Sequence, residues 1–236
     1  MPGKIKAVIF DLDNTLIDFE KMKRLSCEAA IDAMLDSGLK VGKKRAMRTM
    51  FSLYGKYGWE YQKIFQVFLR EVNGKVDYSI MVPGIIAYRK IKEGLLYSYP
   101  GVSMVLKELK DRGYKLAILS DAPRLQAWLR ICSLKIQENF DYVITYDDTK
   151  AYKPHEKPFL LALKKLRLSP DECLMIGDSE TRDIPTAKRL GMKTALARYG
   201  KMKTAGNGAA CKPFADYCLR NVNQIPGVIE RINRGQ

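Results

Sequence analysis

Short apolar, β-branched runs alternate with stretches of helical spacing, and this alternation limits the fold more than any other feature of the chain. Residues 5–10 form the first run and end at Asp11. Val102–Asp111 has helical spacing at Val102, Val105, Leu106 and Leu109, with Gly113 at the stop position. Residues 115–120 read as the second buried strand. The pattern then repeats: helix 123–132, strand 141–145, helix 156–166, strand 173–176, helix 184–190, strand 193–197. A last short strand is expected at 216–219 and a final helix at 226–232. Strands separated by helices need crossover connections. The expected fold is therefore α/β, a doubly wound parallel sheet covered on both faces.

Residues 17–97 break the alternation and read as helices only. Helices are expected at 21–37, 43–54, 59–72 and 78–92, the last interrupted at Pro83-Gly84. An all-helical block between the first strand and the next strand–helix unit reads as an inserted domain. The expected division is a core of residues 1–16 and 98–236 and a helical domain of residues 17–97.

At 236 residues the chain is long enough to bury a core without metal or disulfide staples. The formal net charge of +15 suggests an anionic partner. The excess is spread along the chain, with no basic arm and no nucleic-acid-binding motif, so no nucleic-acid partner is expected. The five cysteines, Cys27, Cys132, Cys173, Cys211 and Cys218, form no CxxC pair, and there is one histidine, His155. Neither a zinc site nor a disulfide framework is expected, and the cysteines read as small buried apolar residues. No apolar run approaches the ~20 residues of a membrane span, and residues 4–10 are too short for a signal peptide. A cytoplasmic protein is expected.

Sites in open α/β sheets form at the carboxyl ends of strands. Asp11-Leu12-Asp13-Asn14-Thr15 follows the first expected strand and Ser120-Asp121 the second. Lys153-Pro154 stands before a helix, and Gly177-Asp178-Ser179 follows the fourth strand, with Asp183 five residues beyond Asp178. Carboxylates gathered on one edge repel unless a hard cation neutralises them, and Mg²⁺ takes oxygen ligands. A carboxylate can act as nucleophile, a second as acid and base, and a lysine and a hydroxyl can hold phosphoryl oxygens. The set suits phosphoryl transfer.

In this order, the Asp11–Thr15 run, Ser120, Lys153 and Gly177-Asp178 with Asp183 resemble the four motifs of the haloacid dehalogenase-like hydrolase superfamily. The insertion resembles the helical cap of its phosphatase subgroup. The resemblance implies a Rossmann-like core carrying that cap. It implies that Asp11 is the nucleophile and Asp13 the general acid and base, with the Asp13 main-chain carbonyl on the metal. It implies that Thr15 supports the turn and belongs with Ser120, Asp121 and Lys153 around the substrate's phosphoryl group. Lys153 also steadies charge on nucleophile and phosphate, and Asp11, Asp13, Asp178 and Asp183 hold Mg²⁺.

Dehalogenases of the superfamily lack the second aspartate, so Asp13 favours phosphomonoester chemistry on a small phosphorylated metabolite. A phosphosugar mutase remains the alternative, and a 2-haloacid dehalogenase or a non-catalytic basic binding protein stands behind it. Outside the motifs, His155 reads as an exposed loop residue and Lys43-Lys44-Arg45 with Arg48 as a solvated helix face. Tyr54, Tyr57, Trp59 and Tyr61 read as packing within the helical domain, with a substrate-facing role for one or two as the second reading.

Overall fold

The computed structural model describes residues 4–201 and 214–235. The chain divides into two compact units, one of residues 1–18 and 97–236 and one of residues 19–96.

In the first unit the sheet has six parallel strands among the described residues, ordered β3-β2-β1-β4-β5-β6. They are β1 (Ala7–Phe10), β2 (Lys115–Leu119), β3 (Tyr142–Ile144), β4 (Cys173–Gly177), β5 (Lys193–Ala197) and β6 (Tyr217–Leu219). β1 is fully buried and central, with Ala7 opposite both Lys115 of β2 and Cys173 of β4. The chain runs outward from β1 through β2 to β3, then returns to β4 on the other side. The order therefore reverses between β1 and β4, the switch point at which doubly wound sheets open a crevice beyond their carboxyl ends.

The helices of this unit are α5 (Val102–Asp111), α6 (Arg124–Ser133), α7 (Tyr146–Thr149), α8 (Glu156–Leu166), α9 (Ile184–Arg189) and α10 (Ile225–Asn233). Alternate strand residues meet opposite layers. Ala7, Ile9, Ala117 and Leu119 share one core cluster with Phe159, Ala162 and Leu166 of α8. Val8 and Phe10, which are also fully buried, point the other way. Ile17 pairs with Ser98 in an antiparallel bridge, and Tyr99 N donates to Leu16 O at 3.0 Å, so both ends of the segment flanking the insertion are fixed to this unit.

The second unit is built from α1 (Phe19–Asp36), α2 (Lys43–Tyr57), α3 (Ile64–Asn73) and α4 (Tyr78–Gly94). It has its own core, including Ile31, Met34, Met50, Phe68 and Leu69. Two helix expectations are corrected here. The Pro83-Gly84 pair does not interrupt α4, which runs continuously from Tyr78. A Cβ on Gly84 would meet the Met34 side chain and come within 3.0 Å of Ala30 O. The glycine lets α4 approach α1 and does not end a helix. The third helix begins at Ile64 rather than at 59, because residues 58–63 form a turn.

The cysteine expectation also fails in part. Cys27 and Cys173 are buried and free, but Cys132 is exposed and Cys218 is disulfide-bonded. Cys211 lies outside the described residues. Spacing alone cannot show which cysteines meet. No helix among the described residues is long and apolar enough to cross a membrane.

Phe159 is fully buried between α8 and the sheet. Phe159→Ala is expected to lower the free energy of unfolding by about 3–5 kcal/mol, read by denaturant titration.

Candidate active site

The loop after β1 continues the sheet for one residue, because Asp11 N donates to Ile176 O at 2.8 Å. It then folds back on itself: Leu16 N donates to Leu12 O at 2.9 Å and Asn14 N to Ile17 O at 2.7 Å. Asn14 takes a left-handed conformation (φ 61°), which asparagine tolerates better than most residues. Tyr199 braces this loop from β5's end, its hydroxyl donating to Thr15 O at 2.9 Å.

Asp11 is buried at the centre of the cluster. Lys153 Nζ donates to its Oδ1 at 2.6 Å, and the Thr15 hydroxyl donates to its Oδ2 at 3.3 Å. Thr15 is fully buried, and its side chain holds Asp11. Lys153 Nζ also donates to Leu119 O at 3.0 Å and pairs with Asp183 Oδ1 at 2.7 Å. One ammonium thus ties the ends of β1 and β2 to the segment after β4.

Asp183 approaches the β4 backbone closely. A Cβ on Gly177 would lie 2.5 Å from its carboxyl carbon, so glycine is required there. Ser179 N donates to Asp183 Oδ2 at 3.0 Å. Carboxylate oxygens of Asp11, Asp178 and Asp183, all buried, lie within 4.8 Å of one another. These three could hold a metal ion. They are hard oxygen donors whose combined charge exceeds that of Lys153, which fits a hard divalent cation. The side chain of Asp13 is not in this group.

Electrostatics follow from the excess of carboxylate. Burial pushes the Asp11 carboxyl well above the ordinary range, Lys153 opposes this, and Asp183, Asp178 and Asp13 add to it. Burial works against the charge of Lys153, but Asp11 and Asp183 outweigh it and hold the ammonium above the usual lysine range.

Ser120 follows β2 directly, with its amide bonded to Ile144 O at 2.9 Å, and its hydroxyl oxygen accepts from Ala122 N at 3.1 Å. The Asp121 side chain has a structural duty: Oδ1 accepts from Lys153 N at 2.9 Å and Oδ2 from Arg182 at 3.1 Å. Asp13 is half-buried, and Arg130 of α6 donates to its Oδ2 at 2.8 Å. Arg130, Arg182 and Tyr199 are site neighbours that the sequence reading missed. Only Arg130 left a signal: helical spacing puts it on the buried face of α6 beside Ala127 and Ile131, and a buried arginine needs an acid.

The other residues singled out lie elsewhere. His155 caps α8, its exposed ring accepting from Lys157 N at 3.1 Å. Lys43 pairs with Glu28 and Asp32 on the surface. Tyr54 is buried and stacks on Trp59 with 5.5 Å between centroids, and Tyr57 stacks on Tyr61 at 5.0 Å, all within the helical unit. Lys23, buried in that unit, donates to Trp59 O at 2.7 Å and to the Tyr88 hydroxyl at 2.9 Å.

Residues 5–191 match the haloacid dehalogenase-like hydrolase family. The chain is 34% identical to a glyceraldehyde 3-phosphate phosphatase of Pyrococcus furiosus, covering 98% of this chain and 95% of the relative. It is 31% identical to a protein of the same name from Methanocaldococcus jannaschii, covering 98% and 99%. The crystal structure of a HAD phosphatase from Thermococcus onnurineus is similar with a TM-score of 0.69 and 26% identity, covering 95% and 98%. The chain belongs to the haloacid dehalogenase-like hydrolases, as its motifs and its parallel sheet led one to expect.

Burial raises the pKa of Asp11, so this one carboxyl keeps its proton above pH 3.8 in the folded, metal-free protein, where the same carboxyl of the unfolded chain has lost it. The protein's stability from this group therefore falls as pH rises from 3.8 towards the raised value. A divalent cation, which binds the ionised cluster, is expected to raise the melting temperature at about pH 7 and to have little effect at about pH 4. At a hundredfold excess over Kd the gain is about 2.7 kcal/mol. Thermal melts with and without cation at the two pH values check this.

Proposed function

We propose, from membership of the haloacid dehalogenase-like hydrolases, that Asp11 is the nucleophile of a Mg²⁺-dependent phosphatase acting on a small phosphorylated metabolite. The observation that carries this reading is Asp11 itself, gripped by Lys153 at 2.6 Å at the carboxyl end of β1, with Asp178 and Asp183 beside it. A carboxylate so fixed loses little freedom on reaction, and it stands at the switch point of the sheet.

An oxygen of Asp11 attacks phosphorus, and the bond from phosphorus to the ester oxygen breaks with its electron pair on that oxygen. Asp13 gives the departing oxygen a proton. Water then attacks the aspartyl-phosphate, Asp13 takes a proton from it, and the bond from phosphorus to Asp11 breaks, which regenerates the carboxylate and releases phosphate. Lys153 stays bonded to Asp11 and holds the charge that moves between carboxylate and phosphoryl group. The Ser120 hydroxyl and the Asp121 amide contact the phosphoryl oxygens. Asp11, Asp178, Asp183 and the Asp13 main-chain carbonyl would hold Mg²⁺, which when bound supplies positive charge against the carboxylates and the phosphoryl oxygens.

The substrate class follows the relatives: a triose phosphate is the first compound to try. The helical unit, residues 19–96, is the proposed source of substrate preference, since the motif residues all lie in the other unit.

Asp11→Asn is expected to lower kcat by at least about 10³-fold on every phosphate ester while the protein remains folded. Steady-state rates on glyceraldehyde 3-phosphate and p-nitrophenyl phosphate, beside a thermal melt, test this. Near wild-type turnover by the variant would remove the mechanism.

A further inference from the structure

Helix α6 carries a charge where its spacing calls for an apolar residue. Leu125, Trp128 and Leu129 are exposed, whereas Ala127, Arg130 and Ile131 face inward. Arg130 is only 2% exposed. A guanidinium taken out of water is costly unless a carboxylate meets it with good geometry. Asp13, 117 residues away in sequence, meets it: Arg130 Nη1 lies 2.8 Å from Asp13 Oδ2. The two side chains differ in access, at 3% and 26% exposure, so the arginine is the anchored partner; the other Asp13 carboxylate oxygen, Oδ1, is buried inside the site.

We infer that Arg130 is a positioning residue for proton transfer, an assignment that rests on the reading of Asp13 as acid and base. Its guanidinium fixes Asp13 through Oδ2, so that the carboxyl faces the ester oxygen in the first step and the attacking water in the second. A charge-assisted hydrogen bond from a rigid, buried donor removes the rotamer freedom that an aspartate on a loop otherwise has. The arrangement also links two roles within one strand–helix unit. β2 leads directly into Ser120, which is proposed to touch the phosphoryl group, and the helix that follows sends back Arg130 to aim the proton donor.

A purely structural cross-link between α6 and the loop after β1 is the competing account, and dependence on the leaving group separates the two. A nitrophenolate departs without a proton, whereas an alkoxide needs one. With Mg²⁺ present, Arg130→Met is expected to lower kcat on glyceraldehyde 3-phosphate by about 30-fold or more. On p-nitrophenyl phosphate the fall is expected to be about threefold or less. Arg130→Lys, which keeps the charge but not the planar fork, is expected to show the same selectivity with a smaller loss. In an Asp13→Asn background, Arg130→Met is expected to cost no more than about a further twofold on either substrate, because the group it aims is gone.

Equal losses on both substrates, or an undiminished Arg130→Met loss in the Asp13→Asn background, would overturn the assignment. If Arg130→Met does not fold, Arg130→Lys decides: a loss confined to the alkyl ester supports the assignment, and equal losses or none refute it. Asp13→Asn alone serves as the control. If it slows both substrates equally, the acid–base reading of Asp13 fails. If it is selective and Arg130→Met is not, only the present inference fails.

Discussion

The Lys153 ammonium, closed in between Asp11 and Asp183 at 2.6 and 2.7 Å, is the contact on which the site depends. All three groups are buried, and no charge of this kind survives burial alone. The lysine lets Asp11 and Asp183 approach, but one positive charge cannot balance three carboxylates. The remaining negative charge is the property that the proposed function uses, since it favours a divalent cation, whose charge in turn offsets that of a phosphoryl group. Asp121 and Thr186 hold the lysine's loop from two sides: Asp121 accepts from Lys153 N at 2.9 Å and Thr186 donates to Pro154 O at 2.7 Å.

The sheet makes this contact possible. β1 lies between β2 and β4, so the segments that follow the three strands emerge side by side. Gly177 then allows Asp183 to pack against the β4 backbone, and Asn14 allows the loop after β1 to turn within a few residues. Chemistry is thus concentrated where backbone is short and firmly bonded. The helical unit contributes none of the motif residues and keeps a separate apolar core.

The sheet was legible because fully buried parallel strands must be continuous apolar runs, and residues 7–10, 116–119, 173–177 and 195–197 are such runs. Val102–Asp111 and Glu156–Leu166 fall where helical spacing places them. Pro83-Gly84 misled because a glycine needed for close packing looks, in sequence, like a glycine that ends a helix. Within the site, Asp11, Lys153, Asp178 and Asp183 were found by their order along the chain, while the contact partners were not. The hydroxyl that Thr15 turns to Asp11 and the grip of the Asp121 side chain on Lys153 and Arg182 are visible only in the fold. Arg130 and Tyr199 act across more than a hundred residues of sequence. No local pattern reports such a pairing. The disulfide at Cys218 escaped notice because spacing alone does not show which cysteines meet.

The central claim, that phosphate passes through a covalent bond to Asp11, is open to direct measurement. A single turnover in the presence of Mg²⁺, stopped in acid on the millisecond scale, preserves an acyl phosphate for peptide mapping by mass spectrometry. The account predicts a phosphorylated peptide spanning Asp11 that is cleaved by hydroxylamine, appears before free phosphate and decays as phosphate is released. Free phosphate formed at the full single-turnover rate with no label on that peptide would contradict it.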